Sequence, residues 1–268
     1  MKKNDELSNN LKTWFSALVI PSALVIAICI FVFILGNGMN FQGGDNANSP
    51  LPGNYLGVVF KGGFIVPILM ALLIIVLSFS IERFLTISKA KGKGSVTTFV
   101  KSVKKHIANN EVDLAIEECD KQRGSVANVV QSVLLRYKAV EGDQTMNKDQ
   151  KLTSIQKEIE EATSMELPSL EQNLVILATI SSVATLMGLL GTVLGMIRAF
   201  AALANAGSPD SVALANGISE ALINTAFGIG TAALAIISYN IFTTQIDKLT
   251  YSIDEAGFSI VQTYAAKH

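Results

Sequence analysis

Long apolar runs alternate with polar stretches along this chain. A helix needs roughly 20 mostly apolar residues, at about 1.5 Å of rise each, to cross a bilayer. Four runs approach or exceed this length, and they extend from Trp14 to Leu35, Gly62 to Leu85, Leu174 to Leu203 and Val212 to Ile241. The pattern therefore predicts an all-α, polytopic membrane protein. The first run is too long for a secretory signal, so we expect it to be retained as a helix.

The polar stretches divide the chain into five predicted parts. They are an N-terminal transmembrane helix with an extracytoplasmic loop (1–61), a transmembrane helix (62–87), a cytoplasmic helical region (88–173), a transmembrane helical hairpin (174–246) and a cytoplasmic C-terminal tail (247–268). The last helix of the cytoplasmic region is expected to continue past Glu171 into the third apolar run, with Pro168 as the point where it can kink.

Lysine and arginine indicate the orientation in the membrane. The loop between Gly36 and Phe60 and the turn between Ala204 and Ser211 contain neither residue, whereas the segment between Ser88 and Asn173 contains many. Loops rich in Lys and Arg stay on the cytoplasmic side. Both termini and the middle region are therefore predicted to be cytoplasmic, in a bacterial inner membrane. The Asn- and Gly-rich loop is predicted to be exposed coil on the other side.

Composition narrows the classes of function. Hydrophobic residues make up 50% of the chain and the net charge is −1, which indicates membrane lipid rather than nucleic acid as the surroundings. The chain contains none of the usual metal-binding, phosphate-binding or nucleophile-elbow motifs. We therefore expect no catalytic residues, no metal and no cofactor, and a protein that is not an enzyme.

One face of the third apolar run is small or polar from end to end. At about 100° per residue this face contains Ser181, Thr185, Gly188, Thr192, Gly195 and Ala199. Close helix packing of the small-xxx-small kind accounts for Gly188, Gly191 and Gly195. Packing does not require the three hydroxyls, so Ser181, Thr185 and Thr192 are candidates for lining a polar pathway.

The fourth apolar run has two distinct faces. A polar stripe contains Asn216, Glu220, Asn224, Thr231 and Ser238. Thr225 lies about 140° around the helix from Glu220, so the two have separate roles. A carboxylate inside an apolar run is costly unless it is protonated, hydrogen-bonded or paired. Glu220, with Asn224, is therefore a structural or a proton-coupled carboxylate; Arg198 can either pair with it or extend to the headgroups.

Thr192 and Thr225 are predicted to lie at the same depth. Each is nearly the same number of residues from a turn centred near Ser208, on adjacent antiparallel helices. Several subunits around a common axis would bring these threonines into one ring of hydroxyls.

Two sequence blocks carry a resemblance to a known family. They are Gly188-Leu-Leu-Gly-Thr-Val-Leu-Gly-Met196 and Gly217-Ile-Ser-Glu-Ala-Leu222, the second followed by Asn224-Thr-Ala226. In this order, and separated by a short loop, they resemble the MotA/TolQ/ExbB proton channel family over roughly residues 62–246. Glu82-Arg83-Phe84 and Glu166-Leu-Pro-Ser-Leu-Glu171 are similar to the ExbB and TolQ branch.

The resemblance implies a function and a set of partners. It implies a ring-forming homo-pentamer whose hairpin, residues 174–246, forms a pore around two copies of a single-span partner like ExbD or TolR. The partner's intramembrane aspartate would be the main protonation site, with Thr192 and Thr225 lining the pore beside it. The implied activity is that of an ExbB-like subunit of a proton-driven motor, which acts through a TonB-like protein on outer-membrane transport.

Departures from the family leave alternatives open. The branch commonly has proline where this chain has Thr185, so a kink is either absent or made by Gly188 and Gly191. The first helix is additional to the three spans of ExbB and TolQ, and the sequence does not assign its role. A TolQ-like role, a motility stator, a secondary transporter and a membrane scaffold are the alternatives. No internal repeat of the kind typical of transporters is evident.

Overall fold

The structure, a computed structural model, describes residues 18–204 and 210–267. Within these ranges the secondary structure is helical, which confirms the all-α prediction. The helices are α1 (Leu18–Leu35), α2 (Tyr55–Phe60), α3 (Ile65–Ala90), α4 (Val96–Ala108), α5 (Val112–Gln122), α6 (Ser125–Glu141), α7 (Lys148–Glu171), α8 (Leu174–Ala204) and α9 (Ser211–Lys267). The predicted start of the first helix at Trp14 and the turn at Ser208 lie outside the described residues.

Four helical stretches are long and apolar enough to cross a membrane. They are Leu18–Leu35, Ile65–Ala90, the stretch Lys148–Ala204, whose apolar part is α8, and Ser211–Lys267. Each overlaps one of the four apolar runs of the sequence. The chain is therefore a polytopic membrane protein by the length and composition of its helices.

The second membrane helix begins and ends later than predicted. Its predicted start, Gly62, lies before the helix because Gly63 has φ of +75°, a left-handed conformation that interrupts a right-handed helix. The helix then begins at Ile65 and continues beyond Leu85 to Ala90.

The C-terminal segment continues the helix of the fourth apolar run. Residues 247–267 belong to α9 without a break. Their buried side chains recur every three or four residues, which is the spacing of one face of a helix. These side chains are Leu249, Ile253, Ala256, Ile260 and Tyr264. This apolar stripe explains why the helix extends far beyond the run that the hydropathy pattern identified.

The expected continuation of α7 into α8 is wrong. The backbone leaves the helix at Gln172, and Asn173 has φ of +66°, a conformation that asparagine tolerates better than most residues. The last turn of α7 is closed by a bond from the Gln172 N–H to the Pro168 carbonyl. Two separate helices therefore replace the single kinked helix that Pro168 suggested.

A buried arginine satisfies the end of α7. Arg83 is fully buried, and its Nη1 donates to the carbonyl oxygens of Leu170 at 3.1 Å and Ser169 at 3.3 Å. The last carbonyls of a helix lack partners within the helix, so the guanidinium supplies donors that they need. Its Nε donates to Glu82 at 2.6 Å, which balances its charge. The Glu82-Arg83 pair thus fixes where α7 ends.

The chain forms two compact units. Of the described residues, one unit contains those up to Ile81 together with those of Val175–Tyr239, and the other contains Glu82–Leu174 together with those from Asn240 onward. In the second unit, α4 to α7 and the end of α9 share a core that includes Val103 and Leu134, and the rings of Tyr137 and Tyr264 meet edge to face at 4.9 Å. The polar segment between the second and third apolar runs is therefore a folded helical unit.

The N-terminal part of the first unit is a helix followed by an ordered loop. Most side chains of α1 are exposed, and those that are fully buried, Ala23, Ala27 and Leu35, lie along one side. The loop was expected to be exposed coil, but buried Asn40 donates to the carbonyls of Ile34 and Leu35 at the end of α1. Amide side chains therefore order this loop, which hydropathy alone does not reveal.

Candidate functional site in the membrane hairpin

The helices α8 and α9 approach each other through glycine. A Cβ atom on Gly195 would lie 2.7 Å from the backbone nitrogen of Ala221, and one on Gly188 would lie 3.1 Å from the Cα of Gly228. A Cβ on Gly191 would lie 2.4 Å from the Cβ of Asn224. The distances at Gly191 and Gly195 are shorter than a Cβ atom allows, and the distance at Gly188 is shorter than most Cβ contacts. All three glycines therefore lie where two helix surfaces touch.

The partner positions on α9 were not identified from the sequence. Gly217 faces Ala199, and Gly228 faces Ala184; in each case an added Cβ would lie 2.7 Å from backbone atoms of α8. The available signal was the spacing of small residues on both helices, which becomes informative only once the two helices are paired in register.

Gly195→Ala should lower the stability of the hairpin, whereas Gly230→Ala should not. The added methyl at residue 195 must displace the backbone of α9, and overpacking of this kind typically costs about 1–3 kcal/mol. At Gly230 an added Cβ has no atom within 4 Å, so alanine's higher helix propensity should leave stability unchanged or slightly raised. Thermal unfolding of the two purified variants in detergent tests this; equal melting temperatures would contradict the close-packing role of Gly195.

Thr192 and Thr225 lie side by side across the hairpin. Their hydroxyl oxygens form a hydrogen bond, and either oxygen can be the donor. Each hydroxyl also lies within hydrogen-bonding distance of a carbonyl of its own helix, 3.2 Å from Gly188 for Thr192 and 3.1 Å from Ala221 for Thr225. Both side chains are half-buried. The pair has the equal depth that residue counting indicated, and its oxygens keep lone pairs that can accept a further bond.

The other two candidate hydroxyls on α8 do not join this pair. Ser181 donates to the carbonyl of Ala178 at 2.6 Å, and Thr185 donates to the carbonyl of Ser181 at 3.2 Å. Such bonds satisfy a hydroxyl within its own helix. Thr185 is exposed in the single chain, and α8 runs unbroken through it. A pore-lining role for Ser181 and Thr185 stays a prediction.

Glu220 is paired with Arg198. Arg198 Nη1 donates to Glu220 Oε1, which answers the question that the sequence left open between an ion pair and an extended arginine. The Glu220 side chain is 8% exposed and that of Arg198 is 52% exposed. Phe64 lies beneath the guanidinium, with Cζ 6.0 Å from the ring centroid. The ion pair offsets the cost of a carboxylate in an apolar run.

The carboxylate also lies against the start of α3. A Cβ on Gly63 would lie 2.6 Å from Glu220 Oε1, so the absence of a side chain makes room for the carboxylate. The role of this glycine was not recognised from the sequence, where Gly62 and Gly63 were the expected beginning of a helix.

Asn224 forms its hydrogen bond with the turn before α3, and not with Glu220. The side chain is completely buried, and its Nδ2 donates to the Gly62 carbonyl at 2.8 Å. Its position opposite Gly191 explains why that position is glycine. Glu220 and Asn224 thus fix the short turn before α3 against the hairpin, one through packing and the other through a hydrogen bond.

Comparison with known proteins shows a similarity to one family. Residues 126–255 match the model of the MotA/TolQ/ExbB proton channel family. This part of the chain is similar to that family. The matched region begins in α6 and ends in α9, so it contains the threonine pair, the ion pair and the glycine contacts. The resemblance carried by the two sequence blocks is confirmed.

Individual relatives carry two names. The chain is 40% identical over 88 residues to the Tol-Pal system protein TolQ of Haemophilus influenzae, a match that covers 33% of this chain and 39% of that protein. It is 35% identical over 86 residues to the biopolymer transport protein ExbB of Pseudomonas putida, covering 32% of this chain and 26% of the relative. For ExbB of Salmonella typhimurium the values are 34% over 85 residues, covering 32% and 35%.

The matches indicate a general class of function. They cover well under half the length of these relatives, and they include both TolQ and ExbB. The family is one of proton channels rather than of enzymes. Together with four apolar helices, it indicates an inner-membrane protein. The similarity to the MotA/TolQ/ExbB family therefore indicates the class of function, and the specific role is a separate question.

Proposed function

We propose that this chain is an ExbB-like subunit of a proton-driven inner-membrane motor that energises TonB-dependent outer-membrane transport. The observation that carries the proposal is the half-buried pair of hydroxyls at Thr192 and Thr225. Hydroxyls can hydrate or hydrogen-bond a carboxyl group, but they do not titrate near neutral pH. The pair is suited to a proton carrier that another chain supplies.

The chain's own charges support the need for a partner. Between residues 175 and 239 the charged side chains are Arg198, Asp210 and Glu220. Glu220 is paired with Arg198 and points away from the Thr225 face, and Asp210 caps the start of α9 by accepting from the Val212 and Ala213 N–H groups. A partner with one intramembrane aspartate, as in ExbD- or TolR-like proteins, would supply the missing ionisable group.

The small and polar face of the hairpin supports a ring. Lipid tails offer no hydrogen-bond partner to a hydroxyl group. Several subunits around a shared axis would shield these hydroxyls from lipid and place copies of the threonine pair around one pore. We propose a homo-pentamer around two partner chains, with 174–246 as the pore-forming hairpin. The helix α1 would lie on the outside, in contact with lipid, a neighbouring subunit or an accessory protein. The termini and residues 88–173 would be cytoplasmic, and a TonB-like protein would receive the motion.

Native mass spectrometry tests the assembly. The chain is co-expressed with an ExbD- or TolR-like single-span protein and purified in detergent. We expect a complex of five copies of this chain with two of the partner. A stable monomer or dimer of this chain together with the partner would contradict the ring.

A TolQ-like role is the second candidate, because relatives of both names match the same part of the chain. Complementation distinguishes the two roles. Expression with its partner in a strain lacking ExbB and TolQ should restore TonB-dependent uptake if the ExbB-like assignment holds. Restoration of envelope integrity alone would favour the TolQ-like role, and motility alone would favour a stator.

A further inference from the structure

The side-chain amide of Asn224 forms a hydrogen bond through its nitrogen, whereas its oxygen has no hydrogen-bond donor among the described residues. Its Nδ2 donates to the Gly62 carbonyl, which fixes the orientation of the amide and leaves Oδ1 as the other end. The side chain is completely buried, and Oδ1 accepts no hydrogen bond from any described residue. A buried acceptor without a donor is unfavourable and uncommon in folded proteins. Such an atom can accept a hydrogen bond from a donor that this arrangement does not supply.

Glu220 is placed to become that donor. It precedes Asn224 by one helical turn, and side chains four residues apart on a helix are neighbours. An ionised carboxylate offers acceptors alone and cannot bond to Oδ1. A protonated carboxyl group has one O–H and can donate to it. The free oxygen of Asn224 therefore matches the neutral form of Glu220 and not the charged form.

The position that Glu220 occupies now suits the charged form. Arg198 from α8 donates to its carboxylate, and the neighbouring groups from the start of α3 are Gly63 and Phe64, neither of which titrates. Arg198 is the charged group that faces the carboxylate in these contacts. When Glu220 binds a proton, the attraction to Arg198 is lost, and half-exposed Arg198 keeps its own proton and can be solvated.

We propose that Glu220 is a second protonation site, with two hydrogen-bonded positions. Ionised, it pairs with Arg198; after taking one proton from water, its O–H donates to Asn224 Oδ1. This inference rests on the proposed proton-driven function and adds to it a site within this chain, separate from the threonine pair. Asn224 also holds Gly62, so proton binding at Glu220 would act on the turn that begins α3.

Infrared difference spectroscopy during a pH titration tests the site. The sample is the full chain with its partner in liposomes, and the band of interest is the carboxylic C=O stretch that disappears in Glu220→Gln. In Asn224→Ala the neutral form loses its acceptor, so the titration midpoint should fall by about one pH unit, a roughly tenfold loss of proton affinity. The C=O band should also move to higher frequency, because hydrogen bonding lowers it.

Asn216→Ala is the matched control. Asn216 lies on the same stripe, one turn before Glu220 instead of one turn after, and it is half-buried. Its removal should leave both the midpoint and the band frequency unchanged. If Asn224→Ala fails to assemble, the wild-type band alone is informative, because its frequency reports whether neutral Glu220 is hydrogen-bonded.

Two results would overturn the inference. One is the absence of any Glu220 carboxylic band over the pH range in which the complex stays assembled. The other is a midpoint shift in Asn224→Ala no larger than in Asn216→Ala. Neither result would contradict the proposed proton-driven function. A complex that titrates at Glu220 but transports nothing under a proton gradient would instead contradict the proposed function.

Discussion

Thr192→Val and Thr225→Val should each abolish proton-driven transport while the protein still assembles. Valine keeps the shape of threonine and removes the hydroxyl, so the close approach of α8 and α9 is preserved. The bonds lost within the chain are to backbone carbonyls and to the other threonine, and their net contribution is about 1 kcal/mol or less each. Uptake driven by the proton gradient should fall to the level of cells without the gene.

A matched control distinguishes the loss of this hydroxyl pair from the loss of any threonine on the same helix. Thr179 also lies on α8 and bonds to a carbonyl of its own helix, that of Val175, but it is on the opposite side of the helix from Thr192. Thr179→Val should transport normally. Normal uptake by Thr192→Val and Thr225→Val, at wild-type protein levels, would exclude a pore role for the pair.

Arg198→Met should destabilise the protein more than Glu220→Gln. Glu220 is the buried member of the ion pair, so removing the arginine leaves a buried charge without a partner, a change that typically costs about 3–5 kcal/mol. Glutamine at residue 220 still offers an oxygen to Arg198, so its effect should be small. Glu220→Leu should be intermediate, because half-exposed Arg198 can turn towards water or headgroups.

The double variant provides the test of this asymmetry. Arg198→Met with Glu220→Gln has no buried charge and should recover most of the stability lost in Arg198→Met alone. The loss in Arg198→Met should also shrink at low pH, since a protonated carboxyl carries no charge. Thermal unfolding of the wild type, Arg198→Met, Glu220→Gln and the double variant at two pH values measures both effects. If the double variant is as unstable as Arg198→Met, the buried charge is not the cause.

Periodicity and counting were sufficient for part of the site. The spacing of Thr192 and Thr225 from the turn predicted a shared depth, and the structure joins them by a hydrogen bond. The angle between Glu220 and Thr225 separated the ion pair from the hydroxyl pair. Both inferences depend on one helix or one hairpin, where geometry is fixed by the rise and the turn of the α-helix.

Contacts between distant segments could not be predicted. The bond from Asn224 to Gly62 joins residues that are far apart in the sequence, and no local pattern specifies it. The break at Asn173 and the capping of α7 by Arg83 are of the same kind. The polar faces of the helices indicated that their side chains needed hydrogen-bond partners. Which residues serve as those partners depends on tertiary packing.

Proton flux into liposomes tests the central claim most directly: that this chain forms a proton pathway only with a partner's carboxyl group beside Thr192 and Thr225. Liposomes contain this chain alone, the chain with its partner, or the Thr192→Val chain with the partner, and a membrane potential is imposed. We predict flux with chain and partner together, and none in the other two cases. Equal flux through the chain alone would contradict the account.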